Sequence, residues 1–138
     1  LIAYCIERQG IRVYGLDRIT KMESSDKKFR MPKNFDVDEL FSTSFGIYLP
    51  EGKARTITFR TSESEARFLR DLPLHRSQEE IDTHEDYSVF SYFLTADYDF
   101  KQDVLSYGKE VEVLAPQSLR DAIAATINHL SETYNANI

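Results

Sequence analysis

The sequence predicts an α+β protein in which a β-hairpin unit is followed by a ferredoxin-like unit with an added C-terminal helix. Residues 1–19 have the pattern of two β-strands joined by a polar turn. Residues 55–114 alternate between strand and helix patterns in the order βαββαβ, which is the split ferredoxin-like arrangement. Residues 116–134 carry an apolar stripe at spacings of three and four, which predicts a final amphipathic helix.

The first hairpin is predicted to turn at Gln9-Gly10, which places Ile6 opposite Val13 and Glu7 opposite Arg12. Side chains alternate between the two faces of a strand, so a strand over residues 10–19 carries Arg12, Tyr14 and Arg18 on one face. The opposite face is apolar and is predicted to be a core face, formed by Ile2, Tyr4, Ile6, Val13 and Ile19. A three-residue turn with a bulge would exchange the two faces.

Two arginines beside a tyrosine suit a ligand that has phosphate and base groups. Guanidinium groups bind phosphate oxygens in a bidentate manner, and a tyrosine ring stacks a base with about 1–3 kcal/mol. Arg12, Tyr14 and Arg18 are therefore the candidate ligand-binding residues. The structural alternative is that Arg12 pairs with Glu7 across the hairpin and Arg18 with a local carboxylate.

The middle of the chain is predicted to be mostly irregular. The second strand continues to Met22, a short extended piece over residues 28–31 stops at Pro32, and Asp36 caps a short helix. The strongest turn signal, at residues 50–53, marks a boundary between a domain over residues 1–52 and a domain over residues 53–138.

The second domain begins with a half-buried strand at Arg55, after which Thr61 or Ser62 caps a helix that ends near Leu72. The remaining elements are strands over 74–82 and 87–95, a helix capped by Asp97 or Asp99 that ends on Gly108, a strand over 110–114, and a helix opened by Pro116.

The charge distribution, the cysteine count and the apolar content of the sequence bear on where the protein works. The formal net charge is −6, but residues 1–54 hold nine basic and eight acidic side chains, whereas the rest of the chain holds eight and fifteen. The single cysteine, Cys5, cannot form an internal disulfide, which favours a reducing, cytoplasmic location. We expect no membrane span, because no run of about 18 apolar residues occurs.

We expect no enzyme, cofactor or metal. The sequence has no glycine-rich phosphate loop and no nucleophile elbow, and Cys5 has no evident base. His75, His84 and His129 lack the spacing of metal ligands and are predicted to lie in loops or on the surface. The acidic run over residues 79–86 is predicted to be a solvated hairpin.

The order of these motifs resembles a known family. Residues 1–5 followed by 11–19 look like the WYL domain of bacterial transcriptional regulators, with Leu1 as the last letter of the motif that names the family. An arginine, an aromatic and then Leu-Asp-Arg-Ile match Arg12, Tyr14 and residues 16–19. The second half resembles the C-terminal extension of WYL domains, through His75-x-Ser77-Gln78, Tyr107-Gly108 and residues 111–116.

The resemblance implies a partial Sm/SH3-like β-barrel over residues 1–52 that senses a nucleotide or a single-stranded nucleic-acid fragment through Arg12, Tyr14 and Arg18. It also implies a homodimer, which the C-terminal extension helps to form. Because the sequence starts at Leu1, we expect a longer protein that supplies the Trp and Tyr of the motif and a winged helix-turn-helix domain that binds operator DNA.

Two other functions fit the sequence. In the first, the arginine hairpin is structural and the chain is an interaction module, with the strand over 87–95 and the last helix forming a homodimer face. In the second, the ferredoxin-like half binds a small metabolite and the arginines take no part.

Overall fold

A computed structural model describes residues 1–31, 33–46, 49 and 52–136. Within these residues there are two antiparallel sheets and four α-helices, which confirms the α+β class. The strands are β1 (Ile2–Cys5), β2 (Gly10–Val13), β3 (Arg55–Ser62), β4 (Glu79–Thr83), β5 (Tyr87–Leu94) and β6 (Val111–Ala115). The helices are α1 (Val37–Leu40), α2 (Glu63–Asp71), α3 (Tyr98–Ser106) and α4 (Gln117–Asn135).

The larger sheet has the strand order β4-β5-β3-β6, and all its neighbouring strands are antiparallel. Strand β5 therefore lies between β3 and β4, the two strands that α2 connects. This is the split arrangement of a ferredoxin-like fold, and α4 is the predicted extra helix. The register of the central pair runs from Arg55 opposite Leu94 to Ser62 opposite Tyr87.

Local capping explains why the helices begin where the sequence predicts. The Asp36 carboxylate accepts hydrogen bonds from the N–H groups of Asp38 and Glu39 at the start of α1. In the same way Ser62 caps α2 and Asp97 caps α3. At the other end of α3, Gly108 follows the helix with φ of +55°, a conformation that favours glycine.

The core lies on the face of the larger sheet that α2 and α3 cover. Phe59 of β3 and Tyr92 of β5 stack with their ring centroids 4.8 Å apart, and both side chains are buried. Other buried apolar side chains surround them, from both central strands and from the helices, among them Ile57, Leu69, Phe90, Leu94, Phe100 and Val104.

The loop between α2 and β4 is fixed by the side chains of Ser77 and Gln78. The Gln78 side-chain oxygen accepts hydrogen bonds from the Leu74 N–H and from the hydroxyl of buried Tyr92, and its amide donates to the Leu69 carbonyl. The Ser77 hydroxyl accepts from the Phe93 N–H and donates to the Phe93 carbonyl. The motif His75-x-Ser77-Gln78 thus joins the end of α2 to β5.

The side chain of Arg70 links α2 to the neighbouring strands β4 and β5. Its guanidinium forms ion pairs with Glu63 (2.8 Å) and Glu80 (2.6 Å) and donates to the hydroxyl of buried Ser88. These hydrogen bonds lower the pKa of Glu80 to about 2 and raise the pKa of Arg70. Residues 79–86 are all exposed and lie in the β4–β5 hairpin, as predicted, and within this acidic run Glu80 is held by Arg70.

The segment after α1 packs on the ferredoxin-like unit. Arg76 donates to the carbonyls of Asp38 (2.9 Å) and Ser42 (3.3 Å) at the end of α1. Phe45 packs edge-on against Phe100 of the core with ring centroids 5.2 Å apart. These contacts join the residues that precede the larger sheet to its helical layer.

The first hairpin differs from the prediction in register. Val13 pairs with Ile2 and Arg12 with Ala3, because Gly10 belongs to the strand and residues 6–9 form the loop. Gln9 adopts a φ of +49°, which allows this longer loop. The shift is an even number of residues, so the grouping of side chains by face is kept.

The predicted length and core face of this hairpin were wrong. Strand β2 ends at Val13, and residues 16–18 form a short 3-10 turn, so the strand does not reach Met22. Four of the five expected core side chains are exposed, with Ile6 at 83% and Tyr4 at 64%, and Ile2 is only partly buried, because no second layer covers them among the described residues.

Other element boundaries also differ from the prediction. The strand predicted over residues 74–82 is shortened to Glu79–Thr83, since its first residues form the loop that Ser77 and Gln78 fix. Residues 28–31 form no strand. Pro32 and the first half of the predicted turn at 50–53 lie outside the described residues. No described helix is long and apolar enough to cross a membrane.

We expect Gln78→Ala to destabilise the fold by about 2–3 kcal/mol, because it leaves the buried hydroxyl of Tyr92 and two backbone groups without partners. Urea denaturation followed by circular dichroism measures this change. The control Gln102→Ala alters an exposed side chain of α3 and should change stability by no more than about 0.5 kcal/mol. Equal effects of the two substitutions would contradict the assigned role of Gln78.

The Arg70 network predicts how stability depends on pH. The pKa of Glu80 is lower in the folded state than the ordinary value of 4.5, so its contribution is complete above that value and is lost as pH falls towards about 2. Glu80→Gln should therefore destabilise the protein at pH 7, and its difference from wild type should shrink as pH falls through this window. The control Glu85→Gln changes an exposed carboxylate of the same acidic run that forms no ion pair among the described residues, and it should leave the stability at pH 7 unchanged in denaturation.

Candidate effector-binding site

The candidate site lies on the first hairpin, and the structure places its three predicted residues in different elements. Arg12 is the third residue of β2, Tyr14 follows the strand directly, and Arg18 ends the 3-10 turn. Arg12 and Arg18 therefore do not share a strand face, contrary to the prediction. The reason is that the chain leaves the ladder at Gly15.

Tyr14, directly after β2, is hydrogen-bonded to Leu1. The Tyr14 N–H donates to the Leu1 carbonyl (2.8 Å), and the amino group of Leu1 donates to the Tyr14 carbonyl (2.9 Å). The side chain of Tyr14 is 40% exposed, so its ring remains accessible.

The cross-strand ion pair between Arg12 and Glu7 is absent from the described residues. The observed register puts Ala3 opposite Arg12 and leaves Glu7 in the loop. Arg12 is exposed and has no ion-pair partner among the described carboxylates. Its guanidinium is thus available to an anion.

Arg18 has only a weak local partner. Its Nε lies 4.0 Å from a carboxylate oxygen of Asp17, and both side chains are at least 80% exposed. Water and salt screen such a pair strongly, so it holds Arg18 only loosely. A Cβ atom at Gly15 would collide with an Asp17 carboxylate oxygen and lie 3.5 Å from the Arg18 Nε, so glycine leaves room for these two side chains.

Arg8 lies in the loop over residues 6–9 that joins β1 to β2. A hydrogen bond with Cys5 raises the pKa of Tyr14, and the charges of Arg8 and Arg12 oppose this shift. The same hydrogen bond lowers the pKa of the Cys5 thiol. Sequence reasoning missed Arg8 because the two-residue turn would have made it an end residue of the first strand. The run Arg8-Gln9-Gly10 gave no signal for a four-residue loop.

Of the three histidines, His75 and His84 make contacts within the fold, and His129 is exposed. His75 hydrogen-bonds to Ser77, and burial lowers the pKa of His75. His84 stacks on Tyr87 and bonds to Asp82, whereas His129 lies on the exposed part of α4. In the part of the chain that the structure describes, no group of three or more histidine, cysteine, aspartate or glutamate side chains is placed to hold a metal ion.

Comparison with known families identifies the second unit. The family model of the WCX domain matches residues 53–131, more than half of the chain. The chain belongs to the WCX domain family. WCX domains are the C-terminal extensions of WYL domains, so the resemblance seen in residues 75–116 is confirmed.

Among solved structures, the chain is similar to the proteasome accessory factor B/C (PafBC) of Arthrobacter aurescens. The TM-score is 0.52 and the sequence identity is 19%, so the likeness concerns the fold. It covers 99% of this chain, including the part that precedes the WCX domain, and 21% of the PafBC chain. No curated protein matches the chain significantly in sequence.

Proposed function

We propose that the chain is the effector-sensing and dimerising part of a bacterial transcriptional regulator, and that it has no catalytic role. Residues 1–52 form the sensing domain and residues 53–138 the WCX domain. The effector is a nucleotide or a short single-stranded nucleic acid. Arg12, Tyr14 and Arg18 contact it, with Arg8 as a fourth member of the site.

One observation carries the proposal. Arg8, Arg12 and Arg18 lie in the hairpin and in the turn that follows it, as does the exposed ring of Tyr14, in a chain whose net charge is −6, and Arg12 has no ion-pair partner among the described residues. An arginine left unpaired in an acidic protein favours binding to an anion. The ring beside it can stack on a base.

Regulation would depend on thermodynamic coupling between effector binding at the hairpin and DNA binding elsewhere in the protein. The effector can shift the placement of DNA-binding domains elsewhere in the protein only if it binds one arrangement more tightly than another. Arg76 and Phe45 support such coupling, because they join the residues after the hairpin to the WCX domain.

The exposed stripe of α4 supports homodimer formation. Leu119 and Ile123 pack on the core at the start of the helix, but the same stripe continues through Ile127, Leu130 and Tyr134, which are 46–86% exposed. A second copy of the helix would cover them. The strand predicted to share this face, β5, lies inside the sheet, and its Phe90 and Tyr92 are core residues.

Binding of labelled single-stranded DNA and of nucleotides, followed by fluorescence anisotropy, tests the effector site. We expect saturable binding that weakens with salt and that is lost in Arg12→Ala/Arg18→Ala. Each lost phosphate contact should reduce the salt slope by about 0.7. The control Arg67→Ala/Lys109→Ala removes the same charge from exposed positions of the WCX domain and should bind normally. Equal losses in both double variants would contradict the proposed site.

Sedimentation measurements test the dimer. Ile127→Glu/Leu130→Glu should convert a concentration-dependent dimer into a monomer, because it places charge in the apolar contact. Ala125→Glu/Asn128→Glu adds the same charge to the opposite side of α4 and should leave the dimer unchanged. A wild-type chain that stays monomeric at about 100 times the protein concentration used for binding would refute this part of the proposal.

A further inference from the structure

A cleft of about 410 Å³ in the WCX domain lies away from the hairpin. It forms where the start of β3, the end of β5, α3 and the start of α4 meet. Its floor is apolar and includes Ile57, Leu94 and Leu119. A cleft of this size is within the usual range of small-molecule sites, about 300–1,000 Å³.

Three basic side chains from different elements line this cleft. Lys53 precedes β3, Arg55 is the first residue of β3, and Lys101 belongs to α3. None of the described lining residues is acidic, and none of the three forms an ion pair with a carboxylate that the structure describes. Like charges brought together repel one another, and a bound anion relieves that repulsion.

Helix α4 points its N-terminus at the same cleft. Pro116 and Ser118 line it, and no side chain caps the helix or places a carboxylate in its first turn within the described residues. The first amide groups of a helix have no partner inside the helix, and its dipole makes this end positive. Both properties favour an anion.

Thr95 gives independent evidence of a missing partner. It lines the cleft and is only 5% exposed, and its hydroxyl has no hydrogen-bond partner among the described residues. A buried hydroxyl without a partner is unfavourable, and native proteins usually satisfy such groups. A ligand oxygen in the cleft would do so.

We propose that this cleft binds a small organic phosphate. The phosphate lies among Lys53, Arg55, Lys101 and the amide groups that begin α4, and the organic part rests on the apolar floor. A phosphate dianion has more negative charge and more acceptor oxygens than a single carboxylate, so it can pair with three cationic side chains at once. The site is separate from the hairpin and does not depend on the effector proposed there.

Isothermal titration calorimetry with four small molecules tests which chemical groups the cleft binds. The probes are phenyl phosphate, inorganic phosphate, benzoate and benzyl alcohol. We expect phenyl phosphate to bind at least about 10-fold more tightly than inorganic phosphate or benzoate, and benzyl alcohol not to bind. Absence of saturable phenyl phosphate binding up to about 10 mM would overturn the proposal, and so would tighter binding of benzoate.

Variants locate the site. Arg55→Gln/Lys101→Gln should weaken phenyl phosphate binding at least about 10-fold, whereas the charge-matched control Arg67→Gln/Lys109→Gln should not. The hairpin site is itself proposed to bind a phosphate, so these variants are compared in the Arg12→Ala/Arg18→Ala background, which should keep the phenyl phosphate binding of the cleft. Binding that survives when Arg55→Gln/Lys101→Gln is added to that background would overturn the proposal.

Thr95→Val distinguishes a ligand contact from a packing role. Without ligand, the melting temperature should rise, because an unsatisfied buried hydroxyl is removed. Phenyl phosphate binding should at the same time weaken by about threefold or more, as expected for one lost hydrogen bond. A higher melting temperature with unchanged affinity would contradict the placement of the phosphate at Thr95.

Discussion

The pairing of β3 with β5 is the constraint on which the rest of the structure depends. The two strands pair over eight residues and place their alternate side chains in the core. The stack of Phe59 on Tyr92 lies across this pair, so a change of register by one residue would place the two rings on opposite faces of the sheet. Strands β4 and β6 only extend this central ribbon, and α2 and α3 cover it.

Polar side chains then connect the elements around that core. Gln78 binds the hydroxyl of Tyr92 and the end of α2, and Arg70 links α2 to β4. Arg76 binds the carbonyls at the end of α1 and so joins the first part of the chain to the WCX domain. Among the described residues, no hydrogen bond or ion pair joins the hairpin to the WCX domain.

Features that rest on local chemistry could be predicted from the sequence. Asp36, Ser62 and Asp97 cap their helices because a short polar side chain reaches N–H groups two or three residues ahead. The order of strands and helices followed from hydrophobic periodicity, and the motif order identified the family.

Features that rest on distant contacts or unusual backbone could not be predicted. The register of the hairpin depends on Gln9 adopting a positive φ, which its sequence does not signal. The bonds between Arg76 and α1 join residues more than 30 positions apart. The basic cleft likewise brings Lys53, Arg55 and Lys101 together only after the sheet and α3 are packed. For the candidate effector site, the residues were named from sequence, but their arrangement and the presence of Arg8 needed the structure.

Hydrogen exchange with and without a short single-stranded DNA is the first measurement to make, because it reports where the effector binds and not merely whether it binds. We expect slower exchange of amides within residues 8–18, with the amides of the β3–β5 pair unchanged. Slower exchange confined to the WCX domain, with the hairpin unaffected, would contradict the assignment of the effector site to the arginine hairpin.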